Sequence, residues 1–167
     1  MSSRLPTGGN TLRKRLVVVR IRGTVGVRRD VEHTLKLLRL VRKFHAVVID
    51  DRPDYMGMLQ KVKDYVTWGE IDAETLAELL RKRGRLTGNK KLSEDIVKEL
   101  GYESIEDFAK AVIEFKAELS DIPGLKPIFR LHPPKGGFKR TTKRMYTDRG
   151  ETGYRGKDIN ELLRRMI

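Results

Sequence analysis

The sequence predicts an α+β sandwich in which helices cover one face of a sheet. Two apolar segments, RLVVVRIR at residues 15–22 and HAVVID at residues 45–50, have the length and the β-branched side chains typical of strands. Each is followed, after a short link, by a segment whose apolar residues recur with the period of a helix. The order strand–helix–strand–helix is typical of this fold class.

The first strand and the first helix are bounded by turn and cap residues. Val17, Val19 and Ile21 are expected on one side of this strand and Val18, Arg20 and Arg22 on the other. The sequence GTVG at residues 23–26 ends the strand. Asp30 has the side chain that a helix N-cap prefers, and it precedes a helical pattern over residues 31–43. We therefore predict a strand, a glycine turn and an amphipathic helix in this order.

The second strand and the second helix repeat this arrangement. Residues 45–50 are almost all apolar, which predicts a central strand of the sheet. Asp51 is the expected cap of the next helix, and Pro53 fits its first turn. Trp68 and Gly69 are expected to end this helix, since glycine is common after a last helical turn.

The second half of the chain is predicted to be helical first and basic later. Asp72 and Ser104 are the expected N-caps of two helices. Helices are predicted over residues 73–83, 93–100, 105–119 and 158–166, with a basic connector at 81–91 and a short strand at 128–131.

These elements suggest one domain with five segments. They are a basic N-terminal arm (1–15), a βαβα core (16–72), a helical insertion (73–125), a strand with a basic extension (126–157) and a C-terminal helix (158–167). A chain of 167 residues has the usual length of a single domain.

Composition narrows the class of protein. The formal net charge is +13 and 35% of the residues are charged, which favours a polyanionic partner. The chain has no cysteine and only three histidines, so we expect no disulfide, metal or cofactor site. No apolar segment approaches the length of a membrane span or of a signal peptide core, which predicts a cytoplasmic protein without a membrane partner.

Positive charge is concentrated at both ends of the chain. Residues 1–45 hold twelve Lys or Arg against two acids, and residues 126–157 hold ten against two. Residues 92–121 hold three against nine, so the middle of the chain is acidic. The 126–157 segment also contains glycines and the rings of Phe138, Tyr146 and Tyr154, which can stack on unpaired bases. This combination predicts an RNA-binding protein whose extension is ordered by its polyanion.

Four sequence features, in their order and spacing, resemble ribosomal protein L-thirty of the large ribosomal subunit. They are the strand ending at Arg22 before Gly26, the TLKLLRL helix, Gly57-Met58 with Lys61-Val62, and residues 134–138. The loop HPPKGGFKRTTK and the tail INELLRRMI resemble the longer archaeal and eukaryotic branch of that family. The resemblance covers residues 15–167.

The resemblance implies a ferredoxin-like βαβ core and a structural, non-catalytic role. The implied partners are large-subunit rRNA near the 5S rRNA region, with 5S rRNA itself as a further candidate, and neighbouring ribosomal proteins. No small-molecule substrate is implied. The RNA-binding residues expected from the resemblance and from charge are Arg13, Lys14, Arg15, Arg20, Arg22, Arg28, Arg29, Lys135, Gly136, Gly137, Phe138, Lys139, Arg140, Lys143, Arg144, Tyr146, Arg149, Tyr154 and Arg155.

Two other functions fit parts of the sequence. A free RNA-binding assembly factor or RNA chaperone would share the fold and the basic surface. A metal-dependent nucleic-acid enzyme would use Asp50, Asp51 and Asp54 as magnesium ligands. No histidine or lysine motif completes such a site, so a helix cap with solvated neighbours is the favoured interpretation of these acids.

Overall fold

The computed structural model describes residues 13–167, so most of the predicted arm lies outside the described residues. Its strands are β1 (Arg15–Arg20), β2 (His45–Asp50), β3 (Val66–Glu70), β4 (Arg85–Leu86), β5 (Lys90–Lys91), β6 (Phe129–Arg130), β7 (Thr141–Met145) and β8 (Gly150–Tyr154). Its helices are α1 (Arg29–Leu37), α2 (Pro53–Val62), α3 (Ala73–Arg83), α4 (Glu94–Glu99), α5 (Ile105–Ile113) and α6 (Ile159–Met166). Short 3₁₀ turns cover Leu119–Asp121, Tyr146–Asp148 and Gly156–Asp158.

Six strands form one mixed sheet in the order β6-β2-β1-β3-β8-β7. β1 is antiparallel to both of its neighbours, β2 and β3, and these two are therefore parallel to each other. The unit β2–α2–β3 thus flanks β1 as a split βαβ motif, the arrangement of a ferredoxin-like core. β4 and β5 form a separate hairpin. The predicted α+β fold class is confirmed.

The sheet is covered on both faces, so the prediction of helices on one face alone is wrong. Val17 and Val19 face a core built with α3, α5 and α6, while Leu16 and Val18 face one built with α1 and α2. Every residue of β1 is buried. The run LVVV is apolar on both faces of its strand, a pattern typical of doubly covered sheets. The helical insertion therefore contributes to the main core.

Residues 66–70 form a strand that the sequence analysis assigned to the end of a helix. α2 ends at Val62, and β3 then pairs with β1 from Val66 to Glu70. Gly69 lies within this strand, where a Cβ would overlap the carbonyl oxygen of Gly156. Glycine is present because another backbone segment approaches closely, and not because a helix ends there.

Two helices are shorter than predicted because each ends in a left-handed residue that is not glycine. Arg39 follows α1 with φ 66°, and Phe115 follows α5 with φ 61°. In both, the next amide bonds back to a carbonyl in the last helical turn, Leu40 N to Leu35 O (2.8 Å) and Lys116 N to Ala111 O (2.8 Å). This is the Schellman pattern, and without glycine it has no sequence signal.

The predicted N-caps divide into two groups. Asp72 accepts a hydrogen bond from Thr75 N (2.7 Å) and Ser104 accepts one from Asp107 N (3.3 Å), so both caps are confirmed. Asp30 lies inside α1, which begins at Arg29, and Asp51 is not the N-cap of α2. Those two assignments are wrong, because each helix begins after an arginine with no side-chain cap.

The basic extension is ordered by the sheet of the protein itself. β8 pairs in parallel with β3, and Thr67 Oγ1 donates to Gly153 O (2.8 Å) across that pair. β7 then pairs with β8 at the edge of the sheet. A polyanion is therefore not needed to order this segment, contrary to the expectation from its charge. Within residues 13–167, no helix has the length and apolar content needed to cross a bilayer.

Candidate nucleic-acid interface

Several chain segments meet at the end of the sheet where β1 ends, called here the loop end. Val19 pairs with Ala46 and Arg20 pairs with Val66, so β2 and β3 begin beside the end of β1. The loop end comprises residues 21–29, 40–45, 63–65 and 130–137. Residues after β6 join it through Leu131 N, which donates to Phe44 O (3.1 Å).

The loop end carries a dense group of basic side chains. Its members are Arg22, Arg28, Arg29, Arg42, Lys43, Lys63, Arg130 and Lys135, all exposed except Arg22, which is half-buried. Asp30 pairs with Arg28 (3.0 Å) and weakly with Lys61 (3.9 Å). Among the described residues, the other basic side chains of this group make no ion pair. The surface therefore has a strong uncompensated positive charge, as a phosphate-binding surface requires.

Sequence reasoning expected Arg22, Arg28, Arg29 and Lys135 at such a surface, and the strand pairing places the loops that carry all four at this end of the sheet. It missed Arg42, Lys43, Lys63 and Arg130 because they belong to links that become neighbours only when the strands pair. For Arg42 and Lys43 the available signal was their position just before the predicted strand at 45–50, whereas Lys63 lay within a predicted helix and Arg130 within a predicted strand.

Arg20 cannot act as a phosphate ligand in this structure. Its side chain is 1% exposed, and burial lowers the pKa of its guanidinium. The guanidinium donates to Leu40 O (2.8 Å), Arg22 O (2.9 Å) and Gly23 O (3.1 Å). Since these carbonyls lie on two different loops, Arg20 holds the loop end in shape instead of contacting a ligand.

Arg15 is also buried, and is therefore withdrawn from the predicted contacts. It donates to Val112 O (2.9 Å) and Ala117 O (3.1 Å) and pairs with Glu118 (3.1 Å). Its guanidinium lies 3.9 Å from the ring centroid of Phe115. Arg15 thus joins β1 to the segment after α5.

Arg155 has a comparable structural role beside β8. It is 8% exposed, pairs with Glu151 (2.8 Å) and donates to Thr67 Oγ1 (2.8 Å). A phosphate could take the place of Glu151 only by breaking this buried ion pair.

Arg13 and Lys14 lie at the opposite end of the sheet from the loop end. Arg13 pairs with Asp50 (3.1 Å), and its guanidinium lies 4.2 Å from the ring centroid of Phe115. Lys14 is exposed beside a groove that Trp68 and Tyr154 line. The structure therefore does not bring these two residues to the main basic group.

The edge strand β7 and its neighbours form a second basic surface, called here the β7 strip, which comprises residues 139–149. Lys143 and Arg144 on β7 and Arg149 after it are exposed, and none of the three makes an ion pair within residues 13–167. Lys139 pairs with Glu161 (3.3 Å) on the surface. Arg140 is partly engaged, since its guanidinium lies 5.3 Å from the ring centroid of Tyr146. Lysine on an exposed edge strand also prevents unwanted strand pairing.

The three rings expected to stack on bases have different environments. Phe138 is half-buried, with its ring centroid 6.3 Å from that of Phe44. Tyr146 lies under the guanidinium of Arg155 (4.6 Å to the ring centroid). Only Tyr154 of these three is exposed, at 45%. It is therefore the ring that best remains available for a base.

Both tyrosines donate hydrogen bonds to carboxylates, which hold them in the phenol form. Tyr146 donates to Asp158 (2.7 Å), and this bond together with burial raises the pKa of Tyr146. Tyr154 donates to Glu70 (2.7 Å), which raises the pKa of Tyr154 to about 12.

Gly136 and Gly137 shape the loop that carries Lys135. Their φ angles are +79° and +74°, and Gly137 N donates to Pro134 O (2.9 Å). A positive φ at the third turn position with this hydrogen bond is a type II turn, which requires glycine there. The double glycine thus turns the chain and leaves Lys135 exposed at the loop end.

The acidic group after β2 does not form a metal site. Asp50 is buried and bound by the guanidinium of Arg52 (2.9 and 2.8 Å) and by Arg13. Burial raises the pKa of Asp50, but these hydrogen bonds and charges outweigh it and hold the pKa below its ordinary value. In the part of the chain that the structure describes, no three His, Asp or Glu side chains are grouped so that they could hold a metal ion.

His45 lies among the basic residues of the loop end and provides a pH-dependent prediction. Burial lowers the pKa of His45, and Arg130, Arg42 and Arg20 lower it further. The unfolded chain therefore binds a proton below about pH 6.5 that the folded chain resists, so stability should fall as the pH drops below that value. We expect denaturant unfolding between pH 7.5 and 5 to show a flatter stability profile for His45→Asn than for the parent.

His33, exposed on α1, provides the matched control for this experiment. His33→Asn should keep the pH profile of the parent protein. An unchanged profile in His45→Asn as well would contradict a role for His45.

A basic α+β sandwich with uncompensated cations at one end of its sheet defines a polyanion-binding class of protein. Comparison with known proteins gives the family within this class. Residues 16–66 match the family model described as ribosomal protein L30p/L7e. The chain belongs to this ribosomal protein family, as relatives with 56–61% identity over 88–90% of its length show.

Three curated relatives share most of their length with this chain, and all three are named large ribosomal subunit protein uL30. The relative from Archaeoglobus fulgidus is 61% identical over 150 residues, 89% of this chain and 97% of its own. That from Methanopyrus kandleri is 58% identical over 149 residues, 88% and 100% of the two chains. That from Staphylothermus marinus is 56% identical over 156 residues, 90% and 96%.

Proposed function

We propose that this chain is a structural, non-enzymatic constituent of the large ribosomal subunit and that it binds large-subunit rRNA through the loop end and the β7 strip. Family membership supports the ribosomal role. The single observation that carries the RNA-binding surface is the loop end, where Arg29, Arg42, Lys43 and Lys135 are exposed with no ion-pair partner among the described residues.

The mechanism is neutralisation of phosphates by a preformed surface. Each phosphate that a lysine or arginine neutralises releases counterions, and this release favours binding. Arg20 and the glycine turn fix the loops before RNA arrives, so less conformational entropy is lost on binding. Backbone contacts of this kind position the protein and lower the repulsion between rRNA helices that meet at its surface.

We propose the region near 5S rRNA as the location, on the basis of the resemblance stated above. Tyr154 beside Trp68 is the candidate for a stacked base, since its ring is exposed and its hydroxyl is held by Glu70. The acidic residues of α4 and α5 would repel phosphate, so these helices are suited to neighbouring ribosomal proteins. Ultraviolet crosslinking of assembled subunits, followed by sequencing of the crosslinked RNA, tests the location. Crosslinks confined to rRNA distant from the 5S region would contradict it.

Sucrose-gradient fractionation of a lysate that contains the tagged chain tests the ribosomal role. We expect the chain in the large-subunit and whole-ribosome peaks, in stoichiometric amount, after a high-salt wash. Presence only in precursor particles or free fractions would replace this proposal with the assembly factor. Absence from all of these fractions would refute both.

A further inference from the structure

A small basic cleft lies between the helical insertion and β6, outside the residues assigned above except for Arg130. The cleft has a volume of about 200 Å³ and is lined by Arg83, Arg85, Asn89, Lys126, Ile128 and Arg130. These residues come from the last turn of α3, the β4–β5 hairpin and the segment that enters β6. Four of the six are basic and none is acidic.

The cleft is held by backbone contacts between segments that are distant in sequence. Lys126 N donates to Arg85 O (2.9 Å), and Thr87 N donates to Gly124 O (2.9 Å). Leu86 forms an isolated bridge with Leu125. The fold therefore sets the positions of the segments that carry these cationic groups.

The charges in the cleft are uncompensated, whereas those beside it are paired. Arg81 pairs with Glu94 and Glu106, and Lys82 pairs with Glu78 (3.3 Å). Among residues 13–167, Arg83, Arg85, Lys126 and Arg130 make no ion pair.

Arg83 adds an unsatisfied donor to this excess of charge. Its Nε is buried and has no hydrogen-bond partner in the structure. A buried charged donor without an acceptor is costly, and an anion in the cleft would remove that cost.

The dipole of α3 offers a simpler explanation for part of this arrangement. Cations in the last helical turn are stabilised by the partial negative charge there, which accounts for Arg81, Lys82 and Arg83 as residue types. It does not account for Lys126 and Arg130, which arrive from more than forty residues later in the chain. Convergence of the two groups on one cleft favours a ligand.

We propose that this cleft binds a phosphate of RNA, so that the helical insertion supplies a second phosphate contact beside the loop end. Arg130 belongs to both sites, because it lies opposite His45 in the pairing of β6 with β2 at the loop end and also lines the cleft. The inference rests on the proposed function, since the same RNA must follow the surface from the loop end to α3. Guanidinium groups suit a phosphodiester oxygen pair through bidentate hydrogen bonds.

The test compares two charge-matched double variants of the full chain. Arg85→Gln/Lys126→Gln removes two cations from the cleft, and Lys90→Gln/Lys91→Gln removes two exposed cations from the other strand of the same hairpin. The probe is an in vitro transcript of large-subunit rRNA, titrated at several salt concentrations. For the loss of one phosphate contact we expect at least about tenfold weaker binding and a salt slope smaller by about 0.7–0.9, with the control within about twofold of the parent and its salt slope unchanged.

A second measurement uses the parent protein and does not depend on how the variants fold. Bound transcript should protect Lys126 from acetylation more strongly than it protects Lys98 on α4, as read by mass spectrometry. Equal binding by the two variants, or equal protection of the two lysines, would overturn the cleft while leaving the proposed function intact. If the parent does not bind the transcript, both proposals fail. A response of the Arg83 Nε–H signal to inorganic phosphate alone, without any effect of the variant on RNA affinity, would identify a free-phosphate site and refute the RNA contact.

Discussion

Replacing Glu151 with alanine is expected to lower the free energy of unfolding by about 3–5 kcal/mol, because it leaves a buried guanidinium without its partner. Glu151 is 3% exposed and pairs with Arg155 at 2.8 Å. Its second carboxylate oxygen accepts a hydrogen bond from Arg140 N (2.9 Å). One side chain therefore joins the start of β7 to the end of β8, and urea denaturation of the parent and the variant measures the loss.

Two further variants show whether the cost comes from the unpaired charge. Glu151→Met/Arg155→Met removes both charges and should recover much of the stability, because a buried ion pair replaced by apolar residues is often neutral. Glu78→Ala, which breaks the surface pair with Lys82, should cost less than about 1 kcal/mol. A loss in Glu151→Ala no larger than in Glu78→Ala would contradict a structural role for the buried pair.

Removing three cations from the extension is expected to weaken rRNA binding by about 100-fold at 0.1 M salt. The variant is Lys139→Ala/Lys143→Ala/Arg144→Ala, whose side chains are all exposed, and of these only Lys139 makes an ion pair among the described residues, a surface pair with Glu161. Arg140 is retained because its guanidinium lies against Tyr146 and its loss could affect folding. The plot of log K against log salt should also become shallower by about 2–3 units, since three phosphates are no longer neutralised.

The control removes the same charge from the helical insertion. Lys98→Ala/Lys110→Ala/Lys116→Ala changes three exposed lysines on or after α4 and α5, where the surface is acidic. Its affinity should fall by less than about fivefold, which reflects only the change in net charge. If both triple variants lose affinity equally and keep the parent salt slope, the extension does not contact phosphate.

Local patterns were enough to predict those elements whose signal lies in neighbouring residues. The signals for these elements are local. The apolar runs of β1 and β2 are continuous in sequence, and the caps Asp72 and Ser104 bond to amides three residues later. β3 was missed for the opposite reason. Val66–Glu70 follows a helix without a glycine turn, and only pairing with β1 and β8 makes it a strand.

Charge counting identified the partner class but not the individual ligands. Arg20 and Arg155 have the same side chain as Arg28 and Arg29, and their charge alone does not distinguish them. The difference between them is how deeply each side chain is buried. Arg20 is 1% exposed and Arg155 8%, and each gives its donors to protein acceptors. A residue that sequence reasoning assigns to RNA can therefore be one that holds the surrounding loops in shape.

The sequence by itself determined the fold class, the family resemblance and the net positive charge, which predicts a polyanionic partner. These follow from composition, local periodicity and short motifs. Only the tertiary structure decided which cations face solvent. Pairing of β1 with β2 and β3 collects loops from four parts of the chain at one end, and the insertion places Arg83 and Arg85 against Lys126. The physical reason is that burial and pairing of a charge depend on residues tens of positions away, which local sequence patterns do not report.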